Sequence, residues 1–210
     1  MPIRDTGNAL ADVSLVIEGL PPAAASAHAP REVHVVPEPV QPKLQQVVDV
    51  ALKATFRDVM AAVPTPVAVI TTLCDGLPHG TTVSAFASLS MDPPMVLVSL
   101  DRSSDLLARV QQTRRFVVNV LGVQQAGLAL AFARKGGSGK FTGVDWENQH
   151  GLPRLPGTPG WLACDVSALV EGGDHIIALG TVVAAASGDG PPLTYHGRVF
   201  GTHAALEGAR

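Results

Sequence analysis

The chain has 210 residues, 46% of them hydrophobic and 16% charged, with a formal net charge of −3. That is enough for one core of ordinary domain size with chain to spare, and it excludes disorder throughout. A slightly acidic balance without a basic run excludes the clustered Lys and Arg footprint of a nucleic-acid binder.

Residues 1–45 read as an N-terminal arm or linker, and residues 46–205 as the folded domain. Within the arm, "ADVSLVIEGL" has the pattern of a short helix or strand of marginal independent stability. The "PPAAASAHAPREVHVVPEPVQPKL" that follows is crowded with Pro and Ala and has no useful periodicity. The domain opens with a helix in "LQQVVDVALKATFRDVMAAV", where Val47, Val48, Leu52, Phe56, Val59 and Met60 recur at helical spacing before Pro64. "VAVITTL" and "TTVSAFASLS" then read as a hairpin around the Asp-Gly turn of "CDGLPHG". "PMVLVSL" is the next strand, "SSDLLARVQQT" a helix capped by Ser103 or Ser104, and "RFVVNVL" a further strand. "QQAGLALAFARKG" predicts another helix and "GGSGK" a flexible loop into Lys140. "WLACDVSALVEGG", "DHIIALGTVVAAASG" and "PPLTYHGRVFG" supply the last three strands. Many strands, few helices and short connections point to a mainly β fold, a Greek-key or split β-barrel with helices outside; a doubly wound α/β fold fits less well.

Several chemistries lack their motifs. His28, His34, His79, His150, His175, His196 and His203 fall in no metal-ligand spacing. No nucleophile elbow, Walker motif or G-x-G-x-x-G is present, so acyl transfer, P-loop phosphoryl transfer and Rossmann binding lose their sequence support. Cys74 and Cys164 form neither a disulfide framework nor a metal pair, which makes a reducing cytoplasm the expected setting. The N-terminus has no signal-peptide pattern and no stretch approaches the ~18 apolar residues of a spanning helix, so no membrane partner is expected. What stands out is the run of small hydroxyls in "HGTTVSAFASLS". On one strand, Thr82, Ser84 and Phe86 would share a face and Thr81, Val83 and Ala85 the other, giving one face that could hold a polyol chain.

Taken in order, "TPVAVITT", "GTTVSAFASLSMDPPMVLVSLDRSS", "RFVVNVL", "FARKGGSGKF", "GLPRLPGTPGWLACDV", "GGDHIIALGTV" and "PPLTYHGRVFG" resemble the flavin reductase-like family over roughly residues 53 to 201. These are the reductase components of two-component flavin-dependent monooxygenases. The resemblance implies an FMN-binding split barrel, a homodimer, reduction of FMN or FAD by NADH or NADPH, and transfer of reduced flavin to a partner monooxygenase. It also implies that Gly80, Thr81, Thr82, Val83, Ser84 and Ala85 follow the isoalloxazine and ribityl chain. Ser99, Leu100, Asp101, Ser103 and Ser104 would approach the ribityl and phosphate, and Phe132, with Lys135 or Lys140, would close over the phosphate end. Gly173, Asp174 and His175 match the motif that meets the nicotinamide nucleotide, with His175 orienting it and Tyr195 near the same site. Two other readings share the fold: an FMN-binding electron carrier or sensor without free-flavin turnover, and a non-catalytic interaction module. For the arm, a dimer clasp, an oxygenase-docking segment and disorder stay open.

Overall fold

The computed structural model describes residues 42–206, without the side chains of residues 42–46 and 48. Of the arm read as residues 1–45, residues 1–41 lie outside the described residues, and Pro42–Gln45 belong to the first helix. In chain order the elements are α1 (Pro42–Ala61), β1 (Thr65–Pro66), β2 (Ala68–Cys74), β3 (Leu77–Val83), β4 (Phe86–Met91), β5 (Pro94–Asp101), α2 (Asp105–Thr113) and β6 (Arg115–Val120). There follow α3 (Ala126–Ala133), β7 (Glu147–Gln149), β8 (Leu152–Arg154), β9 (Gly160–Gly172), β10 (His175–Ser187), β11 (Leu193–His196) and β12 (Val199–Thr202).

β2 and β3 form the predicted hairpin, with Cys74 opposite Leu77. Asp75 and Gly76 between them have φ of 51° and 73°, the left-handed pair that a two-residue turn of matching twist demands. The seven-stranded sheet runs in the order β3-β2-β6-β9-β10-β5-β4. Its two outermost strands are consecutive in the chain, which fixes the architecture. Three residue steps, Val83 to Phe86, span about 10 Å at most, whereas strands six places apart in a flat sheet lie about 29 Å apart. The sheet must therefore curl until its edges meet, and Ser99 N donating to Ala85 O at 2.9 Å marks the seam. This is a barrel split along β3 and β5, and it corrects the reading of "TTVSAFASLS" as one strand. Alternation stops at Val83, and the segment changes from one sheet edge to the other at Ser84–Ala85.

Two further expectations change. "PPLTYHGRVFG" is not a single strand but the hairpin β11–β12, because Gly197 and Arg198, with φ of 58° and 66°, make a turn within it. "GGSGK" is not an open loop: Gly137–Phe141 wind into a 3₁₀ turn.

The barrel interior is filled by Ile70, Val98, Leu100, Phe116, Val118 and Ala178, and α2 closes it with Leu106, Leu107 and Val110. A second cluster outside the barrel holds Val69, Leu121, Phe132, Phe141 and Leu155 under α3. Gly180 is required by close approach: a Cβ there would lie 2.5 Å from Phe116 Cζ. Helix α1 forms as its periodicity predicts, yet Val47, Val50, Leu52, Phe56 and Val59 are each 59–69% exposed. Its C-terminal end is tied to the β11–β12 turn by Gly197 N donating to Ala61 O and by the Arg198–Asp58 ion pair.

Candidate active site

Three adjoining cavities follow the end of β3 across the barrel seam. The first, of 330 Å³, lies at the N-terminus of α2 and is bordered by His79, Gly80, Thr81, Ser103, Ser104, Lys135 and Lys140, with Asp101 and Asp105. The second, of 260 Å³, shares Thr81, Asp101 and Ser104 with the first and continues along Thr82, Val83, Ser84, Ala85, Ser99 and Leu100 to His175. The third, of 560 Å³, lies across Thr82, Val83 and Ser84 and is mostly apolar, walled by Leu130, Tyr195, Val199 and Phe200. The barrel seam thus brings the hydroxyl-rich segment, the end of β5 and the start of β10 to one groove.

Local chemistry explains the polar end. Ser103 donates from both its backbone N and its Oγ to Asp101 Oδ1, each at 2.6 Å. These bonds hold the Asp101 carboxyl below the usual carboxylate range. The tight turn they make places Ser104 at the N-cap of α2, but the Ser104 side chain makes no capping bond. Ser104 borders both polar cavities. A helix N-terminus with unsatisfied N–H groups and two nearby lysines suits an anion.

Lys140 is partly committed to the fold. Its Nζ donates to Gly80 O at 3.1 Å and Phe132 O at 3.0 Å, so it clamps the 3₁₀ turn to β3 while bordering the first cavity. Partial burial pulls its ammonium pKa below the ordinary value. Phe132 does not border the groove: it is 0% exposed, stacks edge-on against Phe141 at 4.9 Å, and lies so close to Gly80 that a Cβ there would come within 2.8 Å of its ring. It supports the groove from behind. Thr82 is likewise partly committed, its Oγ1 donating to Ala129 O at 2.7 Å.

At the far end, Gly173 and Asp174 form the two-residue turn between β9 and β10, with Gly173 at φ 71°. Arg102, which sequence reasoning missed, holds that turn: its backbone N donates to Asp174 O at 3.0 Å and its Nε to Gly173 O at 2.7 Å. His175 Nδ1 lies 2.7 Å from Asp174 Oδ1. This contact orients the imidazole and keeps the Asp174 carboxyl below its usual range. Of this motif, His175 is the residue that borders the second cavity. Tyr195 borders the third cavity across from Thr82–Ser84, tilted against Phe200 at 5.3 Å, and is not on the cavity that His175 borders.

His79 is the other residue missed. It begins the hydroxyl-rich run, directly before Gly80, and that position was its only sequence signal. Among the described residues no group of His, Cys, Asp and Glu could hold a metal ion, and no helix is long and apolar enough to cross a membrane.

The flavin reductase like domain matches residues 60–204. The chain belongs to that family. It is 41% identical over 160 residues to the reductase component of 4-nitrophenol 4-monooxygenase/4-nitrocatechol 2-monooxygenase from Rhodococcus opacus, covering 76% of this chain and 86% of that protein. It is 39% identical over 148 residues to FMN reductase (NADH) SmoA of Agrobacterium fabrum, covering 70% and 84%. Among solved structures, NADH:FAD oxidoreductase SgcE6 of Streptomyces globisporus C-1027, in complex with NAD and FAD fragments, superposes with a TM-score of 0.68 at 30% identity, covering 75% of this chain and 95% of that one. The split-barrel fold of flavin reductases is therefore the fold of this chain.

Proposed function

We propose that the chain is the flavin reductase component of a two-component monooxygenase, oxidising NADH and reducing FMN or FAD in the groove along residues 80–85. The carrying observation is the continuity of that groove, from an anion-suited helix N-terminus, past a row of hydroxyls, to His175. The residues fit the group: Ser104 has a hydroxyl uncommitted to capping, and Lys135 borders the same end. A flavin bound there would supply the hydride-accepting chemistry and a reduced nicotinamide the hydride, so the cofactors would carry the reaction.

The protein's share is binding and orientation. Ser104 and the first N–H groups of α2 hold the phosphate end, while Ser103, expected to share that role, has both its donors committed to Asp101 and shapes the turn instead. Thr81, Ser84 and Ser99 line the polyol path, and Val83 and Leu100 give the ring an apolar face. His175, steadied by Asp174, meets the nicotinamide nucleotide at the rim, and the Arg102-held turn fixes its distance from the groove. No nucleophile or strong base is required.

Three finer readings go with this one. NADH is the donor, supported by the name of the Agrobacterium relative. A second copy of this chain covers the exposed apolar residues of α1, since a helix with Val50, Leu52, Phe56 and Val59 in water lacks the packing that sustains most helices. The free, buried Cys74 and Cys164 support a cytoplasmic location. NADH and NADPH oxidation, measured with and without added FMN and FAD, tests the activity; oxidation that requires added flavin is expected, and none with any combination refutes it. Sedimentation of the wild-type chain and Phe56→Asp tests the dimer, with dissociation of the variant expected and a monomeric wild type refuting it.

A further inference from the structure

The buried His79 has no assigned task in the groove. Only 8% of it is exposed, and its Nδ1 is enclosed without a hydrogen-bond partner. The ring borders the first cavity, together with the N-terminus of α2 and Lys135 and Lys140. Burial first, and the Arg109 guanidinium second, keep the imidazole pKa below its ordinary value, so the ring is neutral near pH 7. A neutral imidazole carries one proton. An enclosed N–H without an acceptor is costlier than an enclosed lone pair, which puts the proton on Nε2, the nitrogen that is not enclosed.

We infer that His79 donates from Nε2 to the phosphate of the bound flavin, and that this chain uses it to discriminate phosphorylated flavins from riboflavin. The inference rests on the flavin reading for the identity of the anion. Its geometry rests on two independent features, a nine-residue helix whose N-cap hydroxyl makes no capping bond and a buried, unpartnered ring bordering the same cavity. Riboflavin ends in a hydroxyl where FMN carries the phosphate, so it would leave the N-terminus of α2 and His79 Nε2 without the anion.

His79→Leu is the informative variant, because replacing an unsatisfied polar ring by an apolar side chain of similar size leaves folding nearly unchanged. His79→Gln keeps an N–H donor at a similar reach. Flavin fluorescence titrations of the full chain should show FMN binding weakened about tenfold in His79→Leu and largely restored in His79→Gln, with riboflavin affinity altered less than about twofold. Equal weakening for both flavins, or unchanged FMN affinity, overturns the inference. A second arm separates this from failure of the flavin reading: thermal protection by inorganic pyrophosphate should be present in wild type and lost in His79→Leu. Should flavin-dependent NADH oxidation be absent while that difference holds, the anion site stands and only the flavin reading falls. Equal protection of both proteins removes His79 from the site.

Discussion

Ser104→Ala separates capping from phosphate binding more cleanly than any other change in the groove. An N-cap hydroxyl normally contributes ~1 kcal/mol through a bond to the first helical turn. Ser104 has the extended backbone of a cap, φ −71° and ψ 128°, but no such side-chain bond. The substitution therefore has no capping bond to remove, and the stability change should stay within about 0.5 kcal/mol. In a domain of this size that moves Tm by no more than about 2 °C. If the hydroxyl donates to the flavin phosphate, the variant loses a charge-assisted bond worth about 1.5–3 kcal/mol, or roughly ten- to over a hundredfold in Kd. Differential scanning fluorimetry and FMN fluorescence titration on the same preparations give both numbers. A Tm lowered by more than about 4 °C with FMN affinity within about threefold of wild type would refute the reasoning and leave Ser104 as a cap.

The parts legible in the sequence are those that local chemistry dictates. Asp75–Gly76 announces a left-handed turn, and "SSDLLARVQQT" a helix start. The Gly-rich run before His175 announces the rim turn that the structure places at Gly173–Asp174. What was hidden depends on closure at long range. Nothing at Ser84–Ala85 breaks a strand pattern, since neither Gly nor Pro stands there; only the meeting of β3 and β5 across the seam forces the switch. Lys140 reads as a free basic residue on a loop, and its commitment to the carbonyls of Gly80 and Phe132 exists only once β3 and the 3₁₀ turn are side by side. Phe132 belongs to the core for the same reason, because the missing Cβ of Gly80 makes room for its ring. The helical period of α1 is plain in the sequence, whereas the exposure of its apolar residues shows only once every neighbouring element is in place.

Gly80→Ala would put a Cβ 2.8 Å and 2.9 Å from two Phe132 ring atoms and 3.3 Å from Ile70 O. Overpacking of this kind costs about 1–3 kcal/mol, so a Tm drop of several degrees is expected, and an unchanged Tm would show that the ring yields freely. Burial pushes the Cys164 thiol up to about 12 and raises the Cys74 thiol as well, so a thiol reagent should react with neither in the native protein and with both in denaturant. His175→Ala should raise KM for NADH while leaving FMN affinity and Tm near wild type; a lower Tm with unchanged kinetics would make the residue structural. The last expectation is a pH dependence from His79, whose folded pKa lies below its ordinary 6.5 because of burial and then Arg109. Asp105 on α2 and Asp75 at the β2–β3 turn oppose that shift, while Arg134, Lys135 and Lys140 carry positive charge and Asp101 negative charge on the walls of the same cavity. As pH falls through about 6.5, the unfolded chain takes up a proton that folded His79 still refuses, so the unfolded state gains and stability declines until the folded pKa is passed. His79→Leu removes that contribution: its Tm should match wild type near pH 8 and exceed it by about pH 5.5, whereas parallel Tm curves across that range would show that His79 titrates alike in both states.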